Sequence, residues 1–238
     1  DKLAVTYSYP AWVIRALADA YSVDAAGVVP ILEAGNEPAD VTLIARPAQS
    51  DVEDLLEQTH GHKGKYSPYA VVMNREANVS RRPGDIDDVR TGRVGVQDEG
   101  SQVVALVLAN VDVAGNESRW LDMCAGPGGK AAILAGLASQ RDIDFTALEP
   151  VPARSDVPAL AALQKELLEH ASGLVREGGV IGYATCSPHL SETNAIVDGF
   201  LRHHTDFELV EIGGVIPALG FDEHSTAIRL RPDVHGTD

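Results

Sequence analysis

Residues Leu121–Ala138 read LDMCAGPGGKAAILAGLA, an apolar strand-like approach, a cysteine, a Gly-Pro-Gly-Gly turn and a helix-forming run. Glycines at the exit of a parallel strand let the backbone approach a ligand closely. The helix that follows offers free N–H groups and the positive end of its dipole to an anionic group. The run Gly126-Pro127-Gly128-Gly129-Lys130-Ala131 fits a loose G-x-G-x-x-A. Glu149 ends the next strand, about 20 residues on, where a carboxylate accepts ribose hydroxyls. The pattern points to a nucleoside-bearing cofactor, with NAD still open. A phosphate-binding P-loop is excluded, because Gly126 lies too close to Lys130 and no Ser or Thr follows that lysine.

Working outward toward the carboxyl end, strands and helices alternate from Arg119 onward, which predicts a parallel sheet covered on both faces. RWLDMCA is its first strand, GGKAAILAGLASQ the helix and IDFTALEP the second strand. SDVPALAALQKELLEHASGLVREGG predicts a helix with Ser155 as N-cap and Gly178 as stop. Leu160, Leu163, Leu167, Ala171 and Leu174 form its apolar stripe. VIGYATCS reads as a buried strand with Cys186 at its carboxyl end, where open α/β sheets place ligands. Thr185, Ser187 and His189 surround the cysteine with hydrogen-bonding groups, and a helix start nearby favours a thiolate. A small buried structural cysteine is the alternative. SETNAIVDGFLRHH predicts a helix, and FELVEI and TAIRLRP predict closing strands.

Toward the amino end, YPAWVIRALADAY predicts a helix with Pro10 near its start and Trp12, Val13, Ala16, Leu17 and Ala20 on one stripe. DVTLIARP and YAVVMN read as strands flanking SDVEDLLEQT, where Ser50 and Glu53 have capping-box spacing. The polar stretch Asn78–Gly95 marks a boundary. VQDEGSQVVALVLANV is then a helix apolar on most sides, expected to be buried between two lobes. Asp98 and Glu99 either buttress the site or cap that helix.

The 238 residues are 45% hydrophobic, enough for a real core. No apolar run reaches the roughly 20 residues of a membrane span, and the start shows no signal-peptide core. A cytoplasmic protein is expected. Cys124 and Cys186 have neither zinc-site nor disulfide-framework spacing. His60, His62, His203 and His204 lack ligand partners, so no metal is expected. Ser187 and His189 lack a G-x-S-x-G elbow. The net charge of −16 disfavours phosphate backbones, yet Lys63, Lys65, Arg75, Arg81, Arg82, Arg90 and Arg93 form a local basic excess.

VQDEGSQ, DMCAGPGGK, ALEPVPAR, SDVPALAALQKELL, GGVIGYATCSPHLSET and RPDVHGTD, in that order, resemble the Sun/Fmu (RsmB-like) family of RNA (cytosine-C5) methyltransferases, especially its bacterial 16S rRNA members. The resemblance runs over most of the chain from Tyr7 onward, and CAGPGGK with TCSPH carries it most specifically. It implies an α/β fold, a Rossmann-like class I methyltransferase sheet over residues 96–238 behind a small α+β, RRM-like lobe over 1–95. It implies S-adenosylmethionine as cofactor, bound by Cys124, Ala125, Gly126, Pro127, Gly128, Gly129, Lys130, Glu149 and Arg154. Cys186 aligns with the family's nucleophile, whose sulfur adds to C6 of an exposed cytosine, single-stranded or flipped out, in rRNA.

One departure stands out. The family's Asp-Ala-Pro-Cys segment at the end of strand four is absent, and Pro150–Arg154 leaves no room for two strands with their crossover helices, each unit some 30 residues. A segment of the family fold is therefore expected to be missing from the sequence near Arg154–Ser155. Two alternatives follow: a non-catalytic RNA-binding relative, or a nicotinamide-dependent oxidoreductase.

Overall fold

The computed structural model describes residues 2–74, 82–149 and 157–237. Its elements are α1 (Lys2–Tyr7), α2 (Ala11–Tyr21), α3 (Val29–Asn36), β1 (Thr42–Ala45), α4 (Val52–Thr59), β2 (His62–Lys63), β3 (Ala70–Val72), α5 (Asp87–Arg90), β4 (Val94–Val96), α6 (Glu99–Asn110), β5 (Arg119–Asp122), α7 (Gly129–Gln140), β6 (Asp144–Ala147), α8 (Val157–Ser172), α9 (Asn194–Leu201) and α10 (Pro232–His235). The chain is a mixed α/β protein, with two sheets among the described residues.

The first sheet is antiparallel, in the order β2-β3-β1-β4. All four residues of β1 are buried because both faces of this sheet are covered. Leu43 and Ala45 point to one side, with Leu55 of α4, Val71, Met73, Ile86 and Val94. Ile44 points to the other, against Ala105, Leu106 and Ala109 of α6 and Ile133, Leu134 and Leu137 of α7. The expected burial of α6 between two packed units is what the structure has. β4 pairs with β1, so the end of the predicted boundary stretch is part of this sheet. The N-cap of α4 is Asp51, whose carboxylate accepts from the Glu53 and Asp54 amides, one residue later than the Ser50 expected. In α2, Ala16 and Ala20 are buried but Trp12 stays exposed.

The second sheet has two parallel strands, β5 and β6, with α7 as the crossover between them. Here the sequence-based expectation is corrected in three places. The sheet is not covered on both faces: Leu121 and Leu148 are exposed while Trp120 and Phe145 turn to the core. Residues 180–186 form no strand, and neither do 207–212 or 225–231. None of the predicted stripe of α8 is buried: Leu160, Leu163, Leu167 and Ala171 are half-buried and Leu174 is exposed beyond the helix end, while the buried residue of the helix is Leu168, off that stripe. These share a physical cause. A strand exists only through its partners, and among the described residues nothing pairs with the free edge of β5. The segment at 180–184 instead runs beside α6, where a Cβ on Gly182 would stand 2.8 Å from Leu108. Ser155 lies outside the described residues, as does the expected break at Arg154–Ser155. α8 ends at Ser172, and Gly178 serves a later turn in a left-handed conformation.

Mid-helix Gly136 provides a test of the packing. Replacing glycine by alanine inside an exposed helix stabilises by about 1 kcal/mol. Here the added Cβ would meet the Pro47 carbonyl oxygen at 2.4 Å, where α7 abuts the end of β1. Gly136→Ala is therefore expected to lower stability by roughly 1–3 kcal/mol. A raised denaturation midpoint would contradict this packing.

Candidate cofactor turn and cysteine loop

The glycine turn forms between β5 and α7. Ala125 N–H donates to the Leu148 carbonyl at 2.9 Å, tying the turn to the end of β6, and Gly128 N–H donates to the Ala125 carbonyl at 2.6 Å. Gly128 adopts φ +105 and is the N-cap of α7, a conformation that L side chains rarely accept. Open space surrounds the position a Cβ would take on Gly128.

The parallel register pairs Asp122 with Ala147, which carries Glu149 to the same end of the sheet as the turn. A Cβ on Gly126 would lie 2.5 Å from Glu149 Oε1. Glycine at 126 thus admits the carboxylate against the turn. Cys124, Gly126, Pro127, Lys130 and Glu149 are exposed, whereas Ala125, Gly128 and Gly129 are half-buried. Arg154 lies outside the described residues. The sequence reading did not single out Gln97, whose side chain lies 3.2 Å from where a Cβ of Gly129 would be and donates to Ser101 Oγ. Only the fold brings it to the turn.

The two cysteines differ. Cys124 N–H donates to Asp122 Oδ1 at 2.9 Å. Partial burial, and then the Asp122 carboxylate, push the Cys124 thiol above its ordinary value, which keeps it neutral near pH 7. Cys186 is a free, exposed cysteine, not the tip of a buried strand. Its loop is ordered locally: Ser187 N–H donates to Thr185 Oγ1 at 3.1 Å, and His189 N–H donates to Ser187 Oγ at 3.2 Å. Ser187 Oγ donates to Glu192 Oε2 at 2.5 Å, and Tyr183 Oη donates to the Glu192 carbonyl at 2.7 Å. No hydrogen bond or ion pair joins this loop to the glycine turn among the described residues.

Asp98 caps α6 by accepting from Gly100 N–H and also accepts a hydrogen bond from the Thr237 hydroxyl. Glu99 is buried and accepts from the Tyr66 and Ser67 amides at 2.5 and 2.7 Å. Both residues hold the fold. Three of the seven basic side chains are paired: Lys63 with Glu53, Arg90 with Asp87 and Arg93 with Asp88. Arg75 and Arg81 lie outside the described residues. His204 bonds Glu169 and stacks on Phe200. Among the described residues no His/Cys/Asp/Glu group could hold a metal ion, and no helix is long and apolar enough to cross a membrane.

Residues 150–238 match the family model described as 16S rRNA methyltransferase RsmB/F. A Mycobacterium tuberculosis protein (Rv1407), provisionally named as a methyltransferase, is 36% identical across 99% of this chain and 63% of its own length. That alignment runs to 294 positions against 238 residues here, so the relative carries positions with no counterpart in this chain. Ribosomal RNA small subunit methyltransferase B of Escherichia coli O6:K15:H31 is 26% identical across 87% of this chain and 61% of its own length. The chain thus spans less than two thirds of these relatives. The crystal structure of PH0851 shares the fold, with TM-score 0.77 and 19% identity over 99% of this chain and 65% of that one.

Tyr183 supplies a pH test of the cysteine loop. Burial, and then the Glu192 carboxylate, push its phenol up to about 12 from 10.0. The neutral phenol is favoured in the fold, so its contribution to stability is complete below pH 10 and is lost as pH rises toward 12. Tyr183→Phe is expected to lose less stability than wild type between those values in denaturant titrations. Identical alkaline slopes would show that the phenol is not held in this way.

Proposed function

We propose that the chain, whose residues 150–238 match the family model described as 16S rRNA methyltransferase RsmB/F, is an S-adenosylmethionine-dependent RNA (cytosine-C5) methyltransferase. Its substrate is rRNA, and its nucleophile is Cys186. The observation that carries this reading is the Glu149 carboxylate seated against Gly126 at the carboxyl end of a parallel strand pair. Relatives named as methyltransferases, one of them a small-subunit rRNA enzyme, support the substrate class.

The residues fit the cofactor. Glu149 accepts the ribose hydroxyls, as a carboxylate does at the second strand of a nucleoside-binding β-α-β unit. Gly126, Pro127, Gly128 and Gly129 leave the backbone open to close approach, and the start of α7 offers free N–H groups. Lys130 provides a cation for the amino-acid carboxylate. Cys124 and Ala125 line the turn, and Arg154 completes the set by family likeness. Bound, S-adenosylmethionine supplies a methyl group on a positively charged sulfur.

Cys186 Sγ, as thiolate, adds to C6 of cytosine and places electron density on C5, the atom to be methylated. Loss of the C5 proton to a base and expulsion of Cys186 Sγ then restore the ring. Attack from above the pyrimidine requires a single-stranded or flipped-out base. We assign residues 1–95 to an RRM-like lobe, on the strand order β2-β3-β1-β4 with α4 after β1, and 96–238 to the methyltransferase domain. α6 covers the inner face of that sheet, so bases do not stack on it as on RNA-reading sheets. The protein acts in the cytoplasm, without metal or membrane.

A second reading, a non-catalytic RNA-binding relative, is favoured by the lack of any sheet partner for residues 180–186 among the described residues. One set of measurements separates the readings. Cys186→Ala is expected to cut methyl transfer to rRNA by on the order of 10³-fold or more, with S-adenosylmethionine affinity unchanged by calorimetry. Gly126→Ala, whose Cβ displaces Glu149, weakens that affinity about tenfold. Full turnover by Cys186→Ala overturns the nucleophile. Wild type that binds the cofactor but never methylates supports the second reading, and binding of NAD instead supports a nicotinamide enzyme.

A further inference from the structure

Glu192 is buried, 5% exposed, in a short 3-10 turn (Leu190–Glu192) packed between α8 and α9. A carboxylate out of water must be well bonded to persist. Glu192 Oε2 accepts from Ser187 Oγ at 2.5 Å, and Oε1 accepts from Gln164 Nε2 of α8 at 3.1 Å. Its main-chain carbonyl accepts from Tyr183 Oη at 2.7 Å. The residue therefore grips the chain on both sides of Cys186, three residues before it and one after it. Ser187 Oγ passes the constraint on by accepting from His189 N–H.

We propose that Glu192 is a positioning residue for Cys186: its carboxylate holds Ser187, its carbonyl holds Tyr183, and the thiol between them is kept in one place although its segment has no sheet partner among the described residues. This rests on the reading of Cys186 as the nucleophile. An exposed loop without a ladder is free to wander, and a displacement of about 1 Å at a reacting atom costs up to about 100-fold in rate. The buried carboxylate supplies the anchoring that a neighbouring strand would otherwise give. Glu192 touches neither base nor cofactor, so its effect runs through Ser187.

The test is a mutant cycle with two readouts. Hydrogen exchange over residues 183–193 reports the loop itself. Ser187→Ala and Glu192→Ala are each expected to speed it about tenfold, and Ser187→Thr, which keeps the hydroxyl, is expected to leave it near wild type. Turnover on rRNA reports the consequence: kcat falls about tenfold in both alanine variants, KM and cofactor affinity hold, and Ser187→Thr retains activity. The double alanine variant is no worse than either single one, because the two side chains act as one unit. Unchanged exchange in Glu192→Ala, additive losses in the double variant, or full turnover with a loosened loop would each overturn the proposal. Wild type without methyl transfer would defeat the function reading and the catalytic part of this inference together. The exchange data would still decide the clamp on their own.

Discussion

The packing of α6 between two units is the constraint on which the rest depends. Its Ala105, Leu106 and Ala109 meet Ile44 of the antiparallel sheet and Ile133, Leu134 and Leu137 of α7 in one cluster. Its Val103 and Val107 meet Leu219 and the partly buried Ile212, Val215, Ile216, Phe221, Ile228 and Leu230 of the carboxyl-terminal stretch. A helix apolar on most sides has nowhere else to go than between layers. Glu99 and Asp98 at its start tie down the loop at Tyr66 and the tail at Thr237.

From that core the site follows in steps. α7 is held by its apolar residues, so the turn that precedes it is held as well. Parallel pairing of β5 and β6 then fixes Glu149 relative to Gly126, since a register shift of one residue would carry the carboxylate away. The same chain of causes fails beyond β6. With the far edge of β5 unpaired among the described residues, residues 180–186 take their order from side chains, with Ser187, Tyr183 and Gln164 gathered on Glu192.

The acidic chain also manages its cations in a way that averages hide. Three of the basic side chains before β4 pair within the lobe, with Glu53, Asp87 and Asp88. Exposed pairs of this kind add little stability, but they remove free positive charge from the surface that the sequence pattern suggested for RNA.

By itself the sequence determined the local and periodic features. These are the glycine turn and its helix, the parallel strand pair that precedes Cys124 and Glu149, the two strands of the first lobe and the buried helix between units. Each rests on spacing or on backbone chemistry within a dozen residues. What only the tertiary structure decided depends on partners distant in the chain. VIGYATCS has the apolar composition of a buried strand, yet composition cannot create the neighbouring strand that would bond it; among the described residues it has no sheet partner, and Cys186 is exposed. Gln97 reached the turn, and Glu192 became the anchor of the cysteine loop, through packing across helices. No periodicity records such contacts, because they arise where separate elements meet and not within any one of them.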